Sequence, residues 1–150
     1  MTAPLEDAAG DLVVQAARLV RAVRRLEGDL PPAALRTLSV LDEHGDISVT
    51  RLAELDRTSQ PAASSLVKSL VGRGWVTTRP DPTDGRSRLV VMTDAGRTLL
   101  ADVRRRNAAA VADRLTADDT AAVEHATHLL RRVLAADLTP DPTPVTEGER

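Results

Sequence analysis

The sequence predicts a mainly α-helical fold that carries one small β-hairpin, an α+β arrangement within the usual size of one domain. Three observations point there. Phe and Tyr are absent from the 150 residues and Trp75 is the one aromatic, so the core is built from Leu, Val and Ala, which pack readily along helices. Apolar residues recur at helical spacing through most of the chain. The segment from Trp75 to Met92 instead reads as two β-branched runs around a turn rich in Pro, Asp and Gly.

The elements follow in order. Leu12, Ala16, Leu19, Val23 and Leu26 alternate steps of four and three along a first helix from about Leu5 to Leu26, whose other face carries Arg18, Arg21, Arg24 and Arg25. Gly28 stops it. Pro31 and Pro32 suit the first turn of a second helix, which runs through Leu35, Leu38 and Leu41 to His44 and ends at Gly45. Ile47 to Val49 is a short β-prone stretch. Ser48 or Thr50 caps a brief helix containing Leu52, Ala53 and Leu55. After a turn over Asp56 to Ser59, Thr58 or Ser59 caps a further helix, with Pro61 in its first turn, Leu66, Val67 and Leu70 as its buried stripe, and Gly72 and Gly74 at its end. Trp75 to Thr78 and Ser87 to Met92 form a two-stranded hairpin around Arg79 to Arg86. Thr93 caps a long helix expected to end near Leu115. Thr116-Ala117-Asp118-Asp119 opens a last helix, with its acids where the helix dipole favours them. The tail from 139 to 150 holds Pro140, Pro142, Pro144 and Gly148, has little to bury and is expected to be disordered.

Composition excludes several classes of function. There is no cysteine, so disulfides, thiolate metal sites and a cysteine nucleophile are ruled out. The start of the chain carries Glu6, Asp7 and Asp11 where a signal peptide would have a basic and then an apolar region, and no apolar run approaches the roughly 20 residues that span a bilayer. A soluble cytoplasmic protein with no membrane partner is expected. The net charge of −2 does not by itself suggest nucleic acid, but net charge averages over segments that face different ways. Between Arg57 and Arg88 stand Arg57, Lys68, Arg73, Arg79, Arg86 and Arg88 against Asp81 and Asp84, six positive against two negative, while both termini are acidic.

Two short helices joined by a tight turn, followed by a hairpin with a basic tip, are what reading of double-stranded DNA requires. A helix about 10–12 Å across fits the major groove, and the helix before it braces it against the backbone. With the stripe of the second short helix buried, Ser59, Gln60, Ala62, Ala63, Ser64, Ser65 and Lys68 are left to face DNA. Gln can pair with adenine N6 and N7, Ser with base edges or phosphates, and Ala allows close approach to thymine methyls. In the hairpin tip, Arg79, Arg86 and Arg88 are candidate phosphate or minor-groove contacts. Asp81 or Asp84 is expected to hold one of these arginines by a charge-assisted bond.

The run Val49-Thr50-Arg51-Leu52-Ala53-Glu54-Leu55, then Ser59 to Leu70, then Gly74-Trp75-Val76, resembles the helix-turn-helix of the MarR family. Arg79 to Ser87, Leu89 to Met92 and Thr93-Asp94-Ala95-Gly96 are similar to that family's wing and the start of its long helix, with the wing's Asp-x-Arg on Asp84 and Arg86. The resemblance covers roughly Leu12 to Asp137. It implies a winged helix-turn-helix with N- and C-terminal dimerisation helices: a DNA-binding lobe at 31–92, dimerisation helices at 5–27 and 94–137, and one domain over 1–138. It implies a homodimeric, sequence-specific transcriptional regulator on a pseudo-palindromic operator, a repressor released by a small-molecule effector, with Asp84 in the DNA-binding wing. Trp75 departs from the family's usual leucine as a bulkier core residue. The lack of Phe and Tyr leaves little to stack an aromatic effector.

Dimerisation is also expected on physical grounds, because terminal helices flanking a small core bury little within one chain. The stripe of Leu12, Leu19 and Val23, and that of Val123, Leu130, Val133 and Leu134, need a partner. His125 and His128 lie three apart on one helix, but without cysteine or a clear third ligand no metal or cofactor is expected. No nucleophile elbow, phosphate loop or histidine set supports an enzyme. The competing reading is a winged-helix protein-interaction module without specific DNA binding, which would tolerate loss of the basic wing.

Overall fold

The computed structural model of the protein describes residues 3–135, and the chain divides into two compact units, Met1–Ala110 and Val111–Arg150. The expected tail at 139–150, and the ends expected for the last helix and the domain at 137 and 138, lie outside the described residues. Among the described residues the order is α1 (Ala3–Arg24), α2 (Pro32–His44), β1 (Ile47–Ser48), α3 (Val49–Leu55), α4 (Gln60–Gly72), β2 (Val76–Pro80), β3 (Arg88–Met92), α5 (Asp94–Ala112), a 3-10 turn (Ala117–Asp119) and α6 (Thr120–Ala135).

Local chemistry accounts for most of these boundaries. Pro31 is the extended residue before α2, Pro32 opens the helix, and Gly45 ends it at φ +73. Ser48 caps α3, its Oγ accepting from the Arg51 N–H at 3.1 Å, and Ser59 caps α4 by accepting from the Ala62 N–H at 3.3 Å. Val49 therefore begins a helix and does not extend the strand expected there. Between α3 and α4, Arg57 adopts φ +50, a left-handed conformation that costs a side-chain-bearing residue roughly 1–2 kcal/mol. The turn is held by the Thr58 N–H donating to the Ala53 carbonyl at 2.9 Å and by Arg36 of α2, whose Nε lies 2.9 Å from the Asp56 carboxylate, a side chain only 2% exposed.

The expected hairpin is present as β2 and β3, and the short β-prone stretch joins it as a third strand. The sheet has three antiparallel strands in the order β1-β3-β2, with Ile47 opposite Val90, and Val76 opposite Met92 through to Pro80 opposite Arg88. The strand β1 is two residues long, too short to announce its pairing in local sequence, and it covers the second edge of β3. Pro80, expected in the turn, closes β2 opposite Arg88.

One core lies between these elements in the first unit. Leu38 and Leu41 of α2, Leu52 of α3, Val67 and Leu70 of α4, Val76, Val90 and Met92 of the sheet, and Leu100 of α5 are all buried within it. The buried stripe of α4 is Ala63, Val67 and Leu70, with Leu66 half-buried. Ala63, expected to face DNA, is therefore a core residue at 1% exposure: it lies four residues before Val67 and seven before Leu70, the spacing of one helix face.

The sheet joins α5 through a knot of hydrogen bonds at Thr93. Its N–H donates to the Trp75 carbonyl at 3.1 Å, its hydroxyl donates to the Gly74 carbonyl at 2.6 Å, and its Oγ1 accepts from the Gly96 N–H at 3.1 Å. Gly96 comes so close that a Cβ built there would stand 2.1 Å from the Trp75 carbonyl oxygen. Nearby, Gly74 turns the chain into β2 at φ +74.

In the second unit, α5 has already ended at Ala112, short of the expected Leu115, and a turn follows in which the Leu115 N–H donates to the Ala112 carbonyl at 3.0 Å. Thr116 and Asp119 cap each other reciprocally, so the expected start of the last helix is a 3-10 turn before α6. The Thr116 backbone N–H and then its hydroxyl hold the Asp119 carboxyl below the ordinary aspartate value.

Gly96→Ala is expected to destabilise the protein by about 1–3 kcal/mol, as overpacking against an unyielding neighbour does, although alanine is the better helix former. A thermal melt followed by circular dichroism checks the sign, and an unchanged or raised midpoint contradicts the close approach.

Candidate nucleic-acid interface

The first turn of α4 and the tip of the β2–β3 hairpin face each other across a groove of about 320 Å³. It is lined by Val49 and Thr50 of α3, Gln60 of α4, and Asp84, Arg86 and Ser87 of the tip, with Arg88 beyond them. Ser59, Gln60, Ala62, Ser65 and Lys68 are exposed as expected, and Ser64 is half-buried. The Ser59 hydroxyl is taken up in capping the helix. Gln60 is anchored as well, its Nε2 donating to the Thr50 Oγ1 at 3.1 Å.

The tip is built by its own polar groups. The Asp81 N–H donates to the Ser87 carbonyl at 3.0 Å, and the Ser87 N–H to the Asp84 carbonyl at 2.9 Å. Asp81 Oδ1 accepts from the Thr83 N–H at 2.8 Å and the Thr83 hydroxyl at 2.7 Å, while Asp84 Oδ1 accepts from the Arg86 N–H at 3.0 Å. Both carboxylates thus fold the turn, and neither makes the expected bond to an arginine side chain.

The arginines find other partners. Arg79 reaches Asp46, just before β1, through Nε at 3.1 Å and Nη2 at 3.0 Å. Arg88 donates to the Thr78 hydroxyl and carbonyl across the hairpin at 3.0–3.1 Å. These exposed contacts add little stability, but they orient both side chains along the sheet. Among the described residues of the tip, the Arg86 guanidinium alone among the three arginines has no hydrogen bond or ion pair.

Sequence reasoning missed Thr50, Asp46 and Thr78 as partners of Gln60, Arg79 and Arg88. Thr78 could have been found, because the hairpin register places Arg88 diagonally across from it on one face. Asp46 could not, since its position depends on the pairing of β1 with β3. Elsewhere, α1 leaves Leu12 and Val23 half-buried and Leu19 51% exposed, and in α6 Val123, Leu130 and Val133 are exposed and Leu134 is 72% exposed. Among the described residues, no group of three or more His, Cys, Asp or Glu side chains could hold a metal ion, and no helix is long and apolar enough to cross a membrane.

The Thr83 hydroxyl, and then its backbone N–H, hold the Asp81 carboxyl below its ordinary value of 3.8. Because the folded value is depressed, this contribution to the turn is present above the unfolded pKa and is lost as pH falls through the folded one. The Thr83 amide resonance in a pH titration by NMR should therefore move with a midpoint below 3.8, and Thr83→Ala should raise the Asp81 midpoint towards that value.

The comparisons with known proteins agree with this geometry. A family profile described as the MarR family matches residues 28–87. An uncharacterised HTH-type transcriptional regulator of Mycobacterium bovis is 31% identical over 109 residues, covering 71% of this chain and 76% of the relative. A MarR family protein from Bacillus stearothermophilus superposes with a TM-score of 0.72 at 16% identity, over 91% of this chain and 99% of the other. A mutant of E. coli MarR, crystallised with operator DNA, superposes with a TM-score of 0.53 at 25% identity, over 87% of this chain and 94% of the other. Paired short helices, a three-stranded sheet ending in a basic tip, and a curated relative matched along most of its length lead to one conclusion: the chain belongs to the MarR family of winged-helix transcriptional regulators, which are not enzymes.

Proposed function

We propose that the protein is a sequence-specific DNA-binding repressor that works in the cytoplasm as a homodimer on a pseudo-palindromic operator and is released by a small-molecule effector. The observation that carries the DNA-binding part is the Arg86 guanidinium. Among the described residues it has no partner at the wing tip, across the groove from the first turn of α4, while Arg79 and Arg88 are tied back to the protein. A free arginine beside a helix end suits a phosphate or a narrow minor groove. Ser65 and Lys68 on the exposed face of α4 suit the major groove.

The exposed apolar side chains support the homodimer. Leu19 and Val20 of α1, and Val123, Leu130, Val133 and Leu134 of α6, lie open to solvent, and stripes of this kind call for a second copy. Two winged lobes related by a two-fold axis would meet half-sites about one helical turn apart, or a multiple of it. The release by an effector rests on the family resemblance, and the scarcity of aromatic side chains argues against a phenolic one.

Fluorescence anisotropy against the DNA upstream of its own gene, at two salt concentrations and with unrelated DNA as competitor, tests the reading. The wild-type protein should bind tightly, resist the competitor and weaken steeply with salt. Arg86→Ala should weaken binding and lower the salt slope by about 1, the signature of one lost phosphate contact, and the mass in solution should be twice that of the chain. Unchanged affinity in Arg86→Ala removes the wing from the interface. Absence of specific binding at low salt on both upstream and selected DNA leaves the protein-interaction reading.

A further inference from the structure

We infer that Thr50, which lies outside the α4 face, determines base preference by fixing the amide of Gln60, so that the two side chains act as one reading unit for a single adenine. The inference rests on the DNA-binding function proposed above. Gln60 is the first residue of α4 and Thr50 lies in the first turn of α3. Both are exposed, both line the groove, and they are joined by the 3.1 Å bond from the Gln60 Nε2 to the Thr50 Oγ1.

The chemistry makes this bond more than a surface contact. A glutamine amide has two hydrogens on nitrogen and an acceptor oxygen. Thr50 takes one hydrogen, and the second hydrogen with Oε1 is the pair that meets adenine N7 and N6 in a bidentate contact. An untethered glutamine spreads over many rotamers and must be ordered on binding, which costs entropy. Tethered, it arrives ordered, in the manner of a preorganised ligand. The Thr50 hydroxyl accepts in this bond and keeps its own hydrogen, which is free to donate to a phosphate. Thr50 is thus a positioning residue: it acts on base choice through Gln60.

Thr50 caps no helix, since Ser48 and Ser59 fill those roles, so replacing it separates base reading from folding. The test is selection of binding sites from a random duplex pool by the full-length wild type, Thr50→Val, Thr50→Ser and Gln60→Ala, with a thermal melt of each. The wild type should select a motif containing an adenine preferred by about tenfold, within the range a bidentate contact supplies. Thr50→Val, which keeps the shape and loses the acceptor, should reduce preference at that one position to about twofold or less and leave the other positions intact, Gln60→Ala should do the same, and Thr50→Ser should restore it.

A Thr50→Val motif identical to wild type at every position overturns the inference while leaving DNA binding in place. So does an equal loss at all positions, which marks a general loss of affinity. A wild type that selects no motif overturns the DNA-binding reading, and this inference with it.

Discussion

The placement of the hairpin beside α4 depends on the knot at Thr93. Its three hydrogen bonds tie the end of β3 to the residues that open β2 and to the first turn of α5, within a contact too tight for any residue but glycine at position 96. Backbone carbonyls of Gly74 and Trp75 at a crowded junction need donors, and Thr93 supplies one from its main chain and one from its side chain. The core beneath is built mainly of leucine and valine side chains with Met92, from α2 to α5 and the sheet, and the one large ring, Trp75, lies half-buried at its edge. Direction comes from polar bonds at the rim of the core: Thr93 for the sheet, Arg36 and Asp56 for the turn between α3 and α4.

The same division between packing and polar guidance runs through the wing. Its carboxylates accept backbone and hydroxyl hydrogens within the turn, and two of its arginines are spent on Asp46 and Thr78. A tip built this way presents a charge without collapsing onto it. Had Asp81 or Asp84 paired with Arg86, the guanidinium would have had to break an ion pair before meeting any other anion.

Most of the architecture could be read from the sequence because its signals are local. Pro32, Gly45, Ser48 and Ser59 act within a few residues of themselves, as does Thr93 in capping α5 through the Gly96 N–H, and they mark the helix boundaries where the structure has them. What could not be read depends on contacts distant in sequence. The pairing of β1 with β3 brings residue 47 to residue 90, and neither run is long enough to declare it. Ala63 looked like a surface residue because alanine is compatible with either side of a helix, and only the packing of α4 against the core decides. The arginine partners were misassigned for a related reason: proximity in sequence suggested Asp81 and Asp84, whereas the sheet delivered Asp46.

The single tryptophan has a practical consequence. Trp75 is half-buried between the end of α4 and the start of β2, packed against the core, with the Arg73 guanidinium 5.1 Å from the centre of its ring. With no tyrosine elsewhere in the chain, all intrinsic fluorescence originates at this junction, between the end of α4 and the start of β2. The protein thus carries a native, label-free optical probe at the joint between its helix pair and its wing.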